Sequence, residues 1–523
     1  MNNIYKNKLS RILGLGVLFV FVASCNSMLD QMPQNERTRE EFWQTRDDVE
    51  SSMLSAYDEM QKALESLYLF GEVRGDLIAT TNGDFLSINQ NLLSEYDKKV
   101  NWSPVYTVIN RFNMVYRFAP QAQQTDITYS AAELAHDRGE ALANKAFMYF
   151  YLARTFKDMI YTSEPSENDE QDYKLAPVPY TQVLDSVIVD LRTALRMVRS
   201  DWQGYNFPTE DEQKRYVKGR INKASVRAIL ADALITRGRP ADFAEAIGYC
   251  NDILDDQVNF AWLPGTRIME IFYPGNSPES IFELQFRRGE HVDIGPMYDW
   301  FNNRVFYWQV NMTYGTLYYW QGEESFRPRI DDLRGFEVSF QDQIQASTNP
   351  QVWKFLLASR TPSSNGDHKR QSNTSDAINF IFYRLSDVYF MKAEALANTG
   401  DLPGAIEALK IIRNRAVPSP SIQQPLPEID ANTVEQFYAQ FLDEKARELG
   451  GEGKRWFDLV RIARRTDNAD IIIDRIAMQR SVGNNQFMWR SRLANPNSWF
   501  FPIYRNELNN NKLLVQNPYY VSK

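Results

Sequence analysis

Apolar side chains recur at helical spacing along most of the chain, and they do so in pairs of segments separated by short polar breaks. In the clearest pair, Leu385, Val388, Tyr389, Ala393, Leu396 and Ala397 fall on one helical face. Asn398-Thr399-Gly400-Asp401 then interrupts the pattern, and Ala405, Ile406, Leu409 and Ile412 resume it. Gly400 suits the left-handed position just past a helix end, and Asp401 suits the N-cap of the next helix. A second pair runs through Val226, Ile229, Leu230, Ala233 and Leu234, breaks at Gly238-Arg239-Pro240, and continues through Phe243, Ala246, Ile247, Cys250, Ile253 and Leu254. That periodicity makes Cys250 a core residue, not a reactive one.

Two looser pairs precede these, with helices near Val49 to Leu64 and Val105 to Ala119, then near Ala141 to Phe156 and Val183 to Val198. The segment from Tyr383 to Ala416 has the 34-residue length of a tetratricopeptide unit, with small Ala393 and Ala405 where two helices must approach closely. The predicted fold is therefore mostly α: a tetratricopeptide-like scaffold of about four helical pairs, near 47–119, 139–199, 221–256 and 383–416, within one domain spanning 40–523. Long segments that do not follow the helical period interrupt it, chiefly 67–102 and 260–380. These are expected to form a ligand-binding subdomain. The proline-rich stretch Pro418 to Asp430 reads as a surface loop, followed by a helix from about Val434 to Leu449 that opens a C-terminal region over 434–523.

The N-terminus changes the picture. Lys6, Lys8 and Arg11 precede an apolar run from Ile12 to Val22, and Ala23-Ser24 stand directly before Cys25. This reads as an export signal over 1–24 with a lipoprotein cleavage site, so Cys25 is expected to carry lipid and 25–39 to act as a tether. The apolar run is too short to span a bilayer, which implies anchoring rather than spanning. Loss of the signal moves the formal charge from −9 to −12. Such an acidic chain lacks the basic stripe that nucleic-acid binding requires. With Cys25 lipidated only Cys250 remains, so no intrachain disulfide is expected.

Several widely separated motifs resemble those of the SusD/RagB lipoproteins. Phe42-Trp43 and Val49 to Tyr57 are similar to the family's opening helix, and Tyr383 to Tyr389 through Ala393-Glu394-Ala395 to its late helix. Leu442-Asp443-Glu444-Lys445-Ala446-Arg447-Glu448-Leu449, then Glu452-Gly453-Lys454-Arg455-Trp456-Phe457-Asp458-Leu459-Val460-Arg461, resemble its Glu/Arg-rich helix and Arg-Trp-Phe-Asp-Leu signature. Phe501-Pro502-Ile503-Tyr504 and Asn509 to Tyr519 resemble its closing segment, whereas Gly450-Gly451 replaces larger residues. The resemblance implies an outer-membrane, lipid-anchored protein facing the cell exterior. It further implies a binding lid that works with a SusC-like TonB-dependent barrel to capture oligosaccharides or, in some members, peptides.

Candidate chemistry points toward binding. Glu444, Glu448, Arg447, Arg455, Asp458 and Arg461 have the spacing of salt bridges fastening two helices. There is no G-x-x-x-x-G-K-S/T phosphate loop, no H-E-x-x-H and no G-x-S-x-G elbow, and only His136, His291 and His368 are available. No cofactor, metal or catalytic residue is expected. Two carboxylates could still hydrolyse a glycoside, and Glu323-Glu324 and Asp331-Asp332 are candidates only in that sense.

Tyr298 to Trp320 holds 10 aromatic residues in 23 positions, where the 13% average would give about three. Trp300, Tyr307, Trp308, Tyr314 and Trp320 stand there among Asn302, Asn303, Arg304 and Gln309. Rings that stack on sugar faces or peptide side chains, beside amides that bond to hydroxyls or carbonyls, suit either ligand. An aromatic hairpin packed on the helices would give the same pattern. The earlier insertion adds Arg74, Asp76, Asn82, Asp84, Asn101 and Trp102, with Trp102 also suited to packing on the helix that follows it. Glycan capture, peptide capture and a ligand-free envelope scaffold are the competing functions, and the aromatic-rich insertions favour a ligand.

Overall fold

The computed structural model describes residues 42–167, 171, 173–200, 207–286, 296–309, 332–334, 338, 351–362, 368–370, 378–417, 428–480 and 486–521. Cys25, Tyr314, Trp320, His291, Glu323-Glu324 and the signal lie outside them. Twelve helices of ten residues or more are present among the described residues: α1 (Arg46–Lys62), α2 (Ser103–Thr125), α3 (Ala131–Phe156), α4 (Tyr180–Met197), α5 (Glu210–Gly219), α6 (Lys223–Arg237), α7 (Pro240–Leu254), α8 (Leu385–Asn398), α9 (Leu402–Ala416), α10 (Val434–Leu449), α11 (Arg455–Arg465) and α12 (Asp470–Arg480). None is long and apolar enough to cross a membrane.

Local chemistry fixes the helix ends. Thr45 and Asp48 form a capping box at α1, as do Ser130 and Glu133 at α3. Asp401 accepts from Gly404 N at 2.9 Å to start α9, and Gly400 sits at φ +89° as its sequence position predicted. Gly238, at φ +73°, ends α6 in the same way.

The helices pack as consecutive neighbours, α1 on α2, α2 on α3, α3 on α4, α4 on α6, α6 on α7, α7 on α8 and α8 on α9. Each of the four predicted windows contains two helices packed on each other, in a tetratricopeptide-like arrangement. Helix α3 lies between its neighbours and is buried continuously from Gly139 to Ala153. Ala246, Cys250, Ala393 and Ala405 are fully enclosed where helices meet.

Among the described residues, strand content is confined to two-stranded ribbons. Strand β1 (Ile78–Ala79) pairs antiparallel with β3 (Tyr307–Trp308). Strand β2 (Ser280–Leu284) pairs with Phe380–Arg384, and both strands are buried along their whole length. The second predicted insertion thus leaves the scaffold and returns to it through one ribbon, where Phe282 stacks on Phe382 at 5.1 Å.

The first insertion differs from its sequence expectation. Every residue from Leu67 to Thr80 is buried, running through a short helix Leu64–Tyr68 and one wide π-type turn over Leu69–Val73. A stretch with no helical or strand period can enter a core only if its polar groups find partners there, and most of the partners of Glu72, Arg74 and Asp76 come from the C-terminal third of the chain.

Candidate ligand-binding platform

The two predicted insertions meet in the β1–β3 ribbon. Ile78 opposes Trp308 and Ala79 opposes Tyr307, Gln309 N donates to Leu77 O at 2.8 Å, and Thr80 Oγ1 donates to Val305 O at 2.7 Å. Segments about 230 positions apart therefore form one platform. Its underside is aromatic: Tyr68 packs on Trp300 at 5.3 Å and on Phe306 at 5.5 Å, Phe85 packs on Phe306 at 5.0 Å, and Phe301 stacks on Phe355 at 4.9 Å.

Beneath the ribbon, the loop from Gly450 to Lys454 closes against the first insertion. Glu72 is fully buried, and its carboxylate accepts from the backbone N–H groups of Gly451, Gly453 and Lys454 at 3.0, 3.0 and 3.1 Å. Burial pushes its carboxyl up to about 7, and the backbone N–H groups of Gly451, Arg455 and Lys454 hold the rise in check. Gly71 lies so near that a Cβ on it would stand 1.9 Å from Gly453 O. The Trp308 ring reaches the same loop, close to where Gly450 and Gly451 would carry side chains. The glycines at the predicted helix end thus make room for the ribbon.

These contacts correct the roles expected of the early residues. Arg74 is buried, donates to Asn91 Oδ1 at 2.8 Å, Ser498 O at 2.7 Å and Trp499 O at 2.6 Å, and lies over the Trp456 ring at 4.1 Å. Asp76 is buried against Arg455. Trp102 is 3% exposed and packs edge-on against Phe156 and Tyr106. Asn101 is half-buried and accepts from Ser103 N at 3.0 Å, at the start of α2. Trp300, Tyr307 and Trp308 are 8%, 7% and 1% exposed. Their rings brace the platform from within and offer no open face for stacking.

What the platform does expose is polar. Thr81, Gly83 and Asp84 follow β1, and Asn303 and Arg304 precede β3, all exposed, with Asp299 on the neighbouring short helix Pro296–Asn302. Thr81 also bonds to the Tyr307 side chain. Amide, guanidinium, hydroxyl and carboxylate groups along one edge can donate to and accept from sugar hydroxyls or peptide groups. Sequence reasoning pointed to Asp84 but missed Thr81, since nothing in its local pattern separates it from an ordinary turn.

The Glu/Arg-rich motif forms a buried ionic network. Arg384 donates to Glu448 at 2.6 Å and to Glu452 at 3.0 Å, Arg334 to Glu444 at 2.8 Å, and Lys354 to Glu452 at 2.9 Å, while Arg415 joins Glu279 to Glu448. Lys445 and Arg461 share Asp458, and Arg461 also holds Glu394 at 2.7 Å. Burial alone would raise Glu394, Glu444 and Glu452, but the surrounding cations override it and hold each carboxyl down near about 2. These groups are engaged in fastening segments, and Asp332, one of the carboxylates considered for hydrolysis, is buried on Arg334 at 2.7 Å.

Among the described residues, one cluster has metal-ligand spacing: His136, Asp137 and Glu140. Its two carboxylates are otherwise engaged. Arg220 and Tyr57 both bond Glu140 at 2.6 Å, Tyr129 bonds Asp137 at 2.6 Å, and His136 Nδ1 accepts from Arg199 N at 3.2 Å. The guanidinium already supplies the positive charge that a cation would bring.

Comparison with known proteins gives a consistent picture. A family model described as "SusD family" matches residues 308–520, and one described as "Starch-binding associating with outer membrane" matches 27–212. SusD-like protein P38 of Formosa agariphila is 27% identical over 485 residues, covering 86% of this chain and 90% of that protein. Among solved structures, a SusD superfamily protein from Bacteroides thetaiotaomicron aligns with a TM-score of 0.67 at 20% identity, over 92% of this chain and 99% of that one. Another from Bacteroides vulgatus aligns with a TM-score of 0.69 at 18% identity, over 91% and 99%. At these identities the structural likeness speaks to the fold.

Proposed function

Because the chain belongs to the SusD/RagB family, we propose that it is a lipid-anchored outer-membrane protein that captures oligosaccharide or polysaccharide nutrients and passes them to a SusC-like TonB-dependent transporter. The observation that carries this reading is the β1–β3 ribbon, which unites two distant insertions into one platform with a polar exposed edge. A binding protein needs such an edge held rigidly, and the aromatic underside and the Gly450–Lys454 loop supply that rigidity. Contact residues would come from this edge and from Tyr314 and Trp320, which follow β3 in sequence. The protein would bind its ligand without turning it over, since the carboxylates of its signature motif are already committed to buried ion pairs.

Anchoring through Cys25 would hold the protein in the plane of the transporter and raise their effective concentration, so the two would not need high intrinsic affinity. Mass spectrometry of the purified membrane form should then find acyl chains on Cys25.

The soluble chain starting at Asn26, titrated with a panel of polysaccharides and with peptide mixtures, tests the ligand class. Saturable glycan binding weakened by Trp320→Ala supports the proposal. Peptide binding alone would replace it with peptide capture, and no binding to either panel would favour an envelope scaffold.

A further inference from the structure

A cavity of about 290 Å³ opens among α3, α4, α6 and α11, and it shares no lining residue with the platform. Five arginines line it, Arg154, Arg237, Arg461, Arg464 and Arg465, and none of its lining residues is Asp or Glu. Four of these arginines are paired with carboxylates outside the lining. Arg237 pairs with Asp242 and Asp185, Arg154 with Asp232 at 3.1 Å, and Arg461 with Glu394 and Asp458. Arg465 must share Glu394 with Arg461, and Asp458 is shared with Lys445. Arg239 also shares Asp185, so six cations divide five carboxylates, and Arg464 adds a further positive charge to the cavity wall.

Arg464 is exposed, and among the described residues no carboxylate lies within ion-pair distance of it. Its guanidinium rests over the Tyr180 ring at 4.3 Å, which pre-orients the donor fork. Arg154 Nε and Thr236 Oγ1 are enclosed with no hydrogen-bond partner among the described residues, although the Arg154 side chain is nine-tenths buried. Buried donors without acceptors are costly, and both belong to residues that line the cavity.

We propose that this cavity binds the oxyanion of a small acidic sugar, a carboxylate or sulfate group held by Arg464 and its neighbours. Guanidinium forks match planar carboxylates and the oxygen faces of sulfate. The volume exceeds what a bare oxyanion fills, which leaves room for the sugar ring that carries it. The site is separate from the platform, so its occupancy does not depend on the platform's ligand.

The test is calorimetric titration of the mature chain with glucuronate, galactose 6-sulfate, inorganic sulfate and neutral galactose, with chloride holding the ionic strength constant. The expected result is saturable one-to-one binding of the acidic sugars, stronger than that of sulfate and absent for galactose, and weakened about tenfold or more by Arg464→Ala. Arg464→Ala breaks no ion pair among the described residues, so its melting temperature should match that of the parent, and Thr236→Val serves as a second variant. No saturation above the chloride control, equal response to galactose, sulfate binding as tight as that of the acidic sugars, or affinity untouched by both variants would each overturn the proposal.

Discussion

Arg455 grips Asp76 with two arms of its guanidinium, Nε to Oδ1 at 2.7 Å and Nη2 to Oδ2 at 2.8 Å, while Nη1 donates to Leu442 O at 2.7 Å. Both side chains are buried, so removing one leaves an uncompensated charge. Asp76→Ala should therefore cost about 3–5 kcal/mol of stability in urea unfolding. Adding Arg455→Met to it should recover much of the loss. A double variant no more stable than the single one would mean that Arg455 is held by its other contacts and not by Asp76.

Gly71 and Gly453 pack too closely for any side chain between them. Gly453 is held at φ +81°, so its carbonyl is poorly placed to retreat from the 1.9 Å approach of a new methyl group. Gly71→Ala should destabilise at or beyond the top of the ~1–3 kcal/mol overpacking range. A thermal melt unchanged from the parent would contradict the tight joint described between the first insertion and the signature loop.

Acid should weaken the protein in a defined window. Glu394, Glu444 and Glu452 have folded-state values near about 2 against an ordinary value of 4.5, so between these limits the unfolded chain binds more protons. The stability they contribute is fully present above pH 4.5 and is lost as pH falls toward 2. Glu72, raised to about 7, favours the folded chain as pH drops toward 4.5, so urea midpoints at pH 6, 4.5 and 3 should hold or rise across the first step and fall across the second. Glu394→Gln should lower stability at pH 6 and flatten that fall.

Cys250 is enclosed within α7, and burial pushes its thiol up to about 12. A thiol that is neither ionised nor reachable does not react. Ellman's reagent should leave the folded chain unmodified and titrate Cys250 only in denaturant. Rapid labelling of the native protein would show that α7 opens locally.

Trp308 and Trp320 should separate scaffold from ligand contact. Trp308 is 1% exposed and fills the space above the Gly450–Gly451 bend, so Trp308→Ala should cost about 3–5 kcal/mol. Trp320→Ala should weaken glycan binding and leave the unfolding midpoint in place. The opposite assignment of effects would move the contact surface onto the ribbon itself.

Much of the scaffold was legible because helices announce themselves locally. The 3.6-residue period of Val226 to Leu234, the Gly238 and Gly400 stops and the Asp401 cap each act within a few residues, so their meaning survives in one dimension. Cys250 could be placed in the core by the same reasoning. The spacing of Glu444, Glu448 and Arg461 likewise indicated ion pairs, although their main partners, Arg334, Arg384, Arg415 and Glu394, lie on other segments.

By itself, then, the sequence determined a helical-pair scaffold, the places where it is interrupted, and the motifs that resemble the SusD/RagB family. Only the tertiary structure decided which side of the interruptions faces water. Arg74, Asp76 and Trp102 have the composition of a binding loop. Yet Arg74 finds its acceptors at Ser498 and Trp499, Asp76 its cation at Arg455, and Trp102 its packing on Phe156. The physical reason is that an isolated polar or aromatic residue carries no periodic signal of its own burial. Whether it meets solvent or protein depends on partners as far as 425 positions away, and those are brought beside it only when the chain closes on itself.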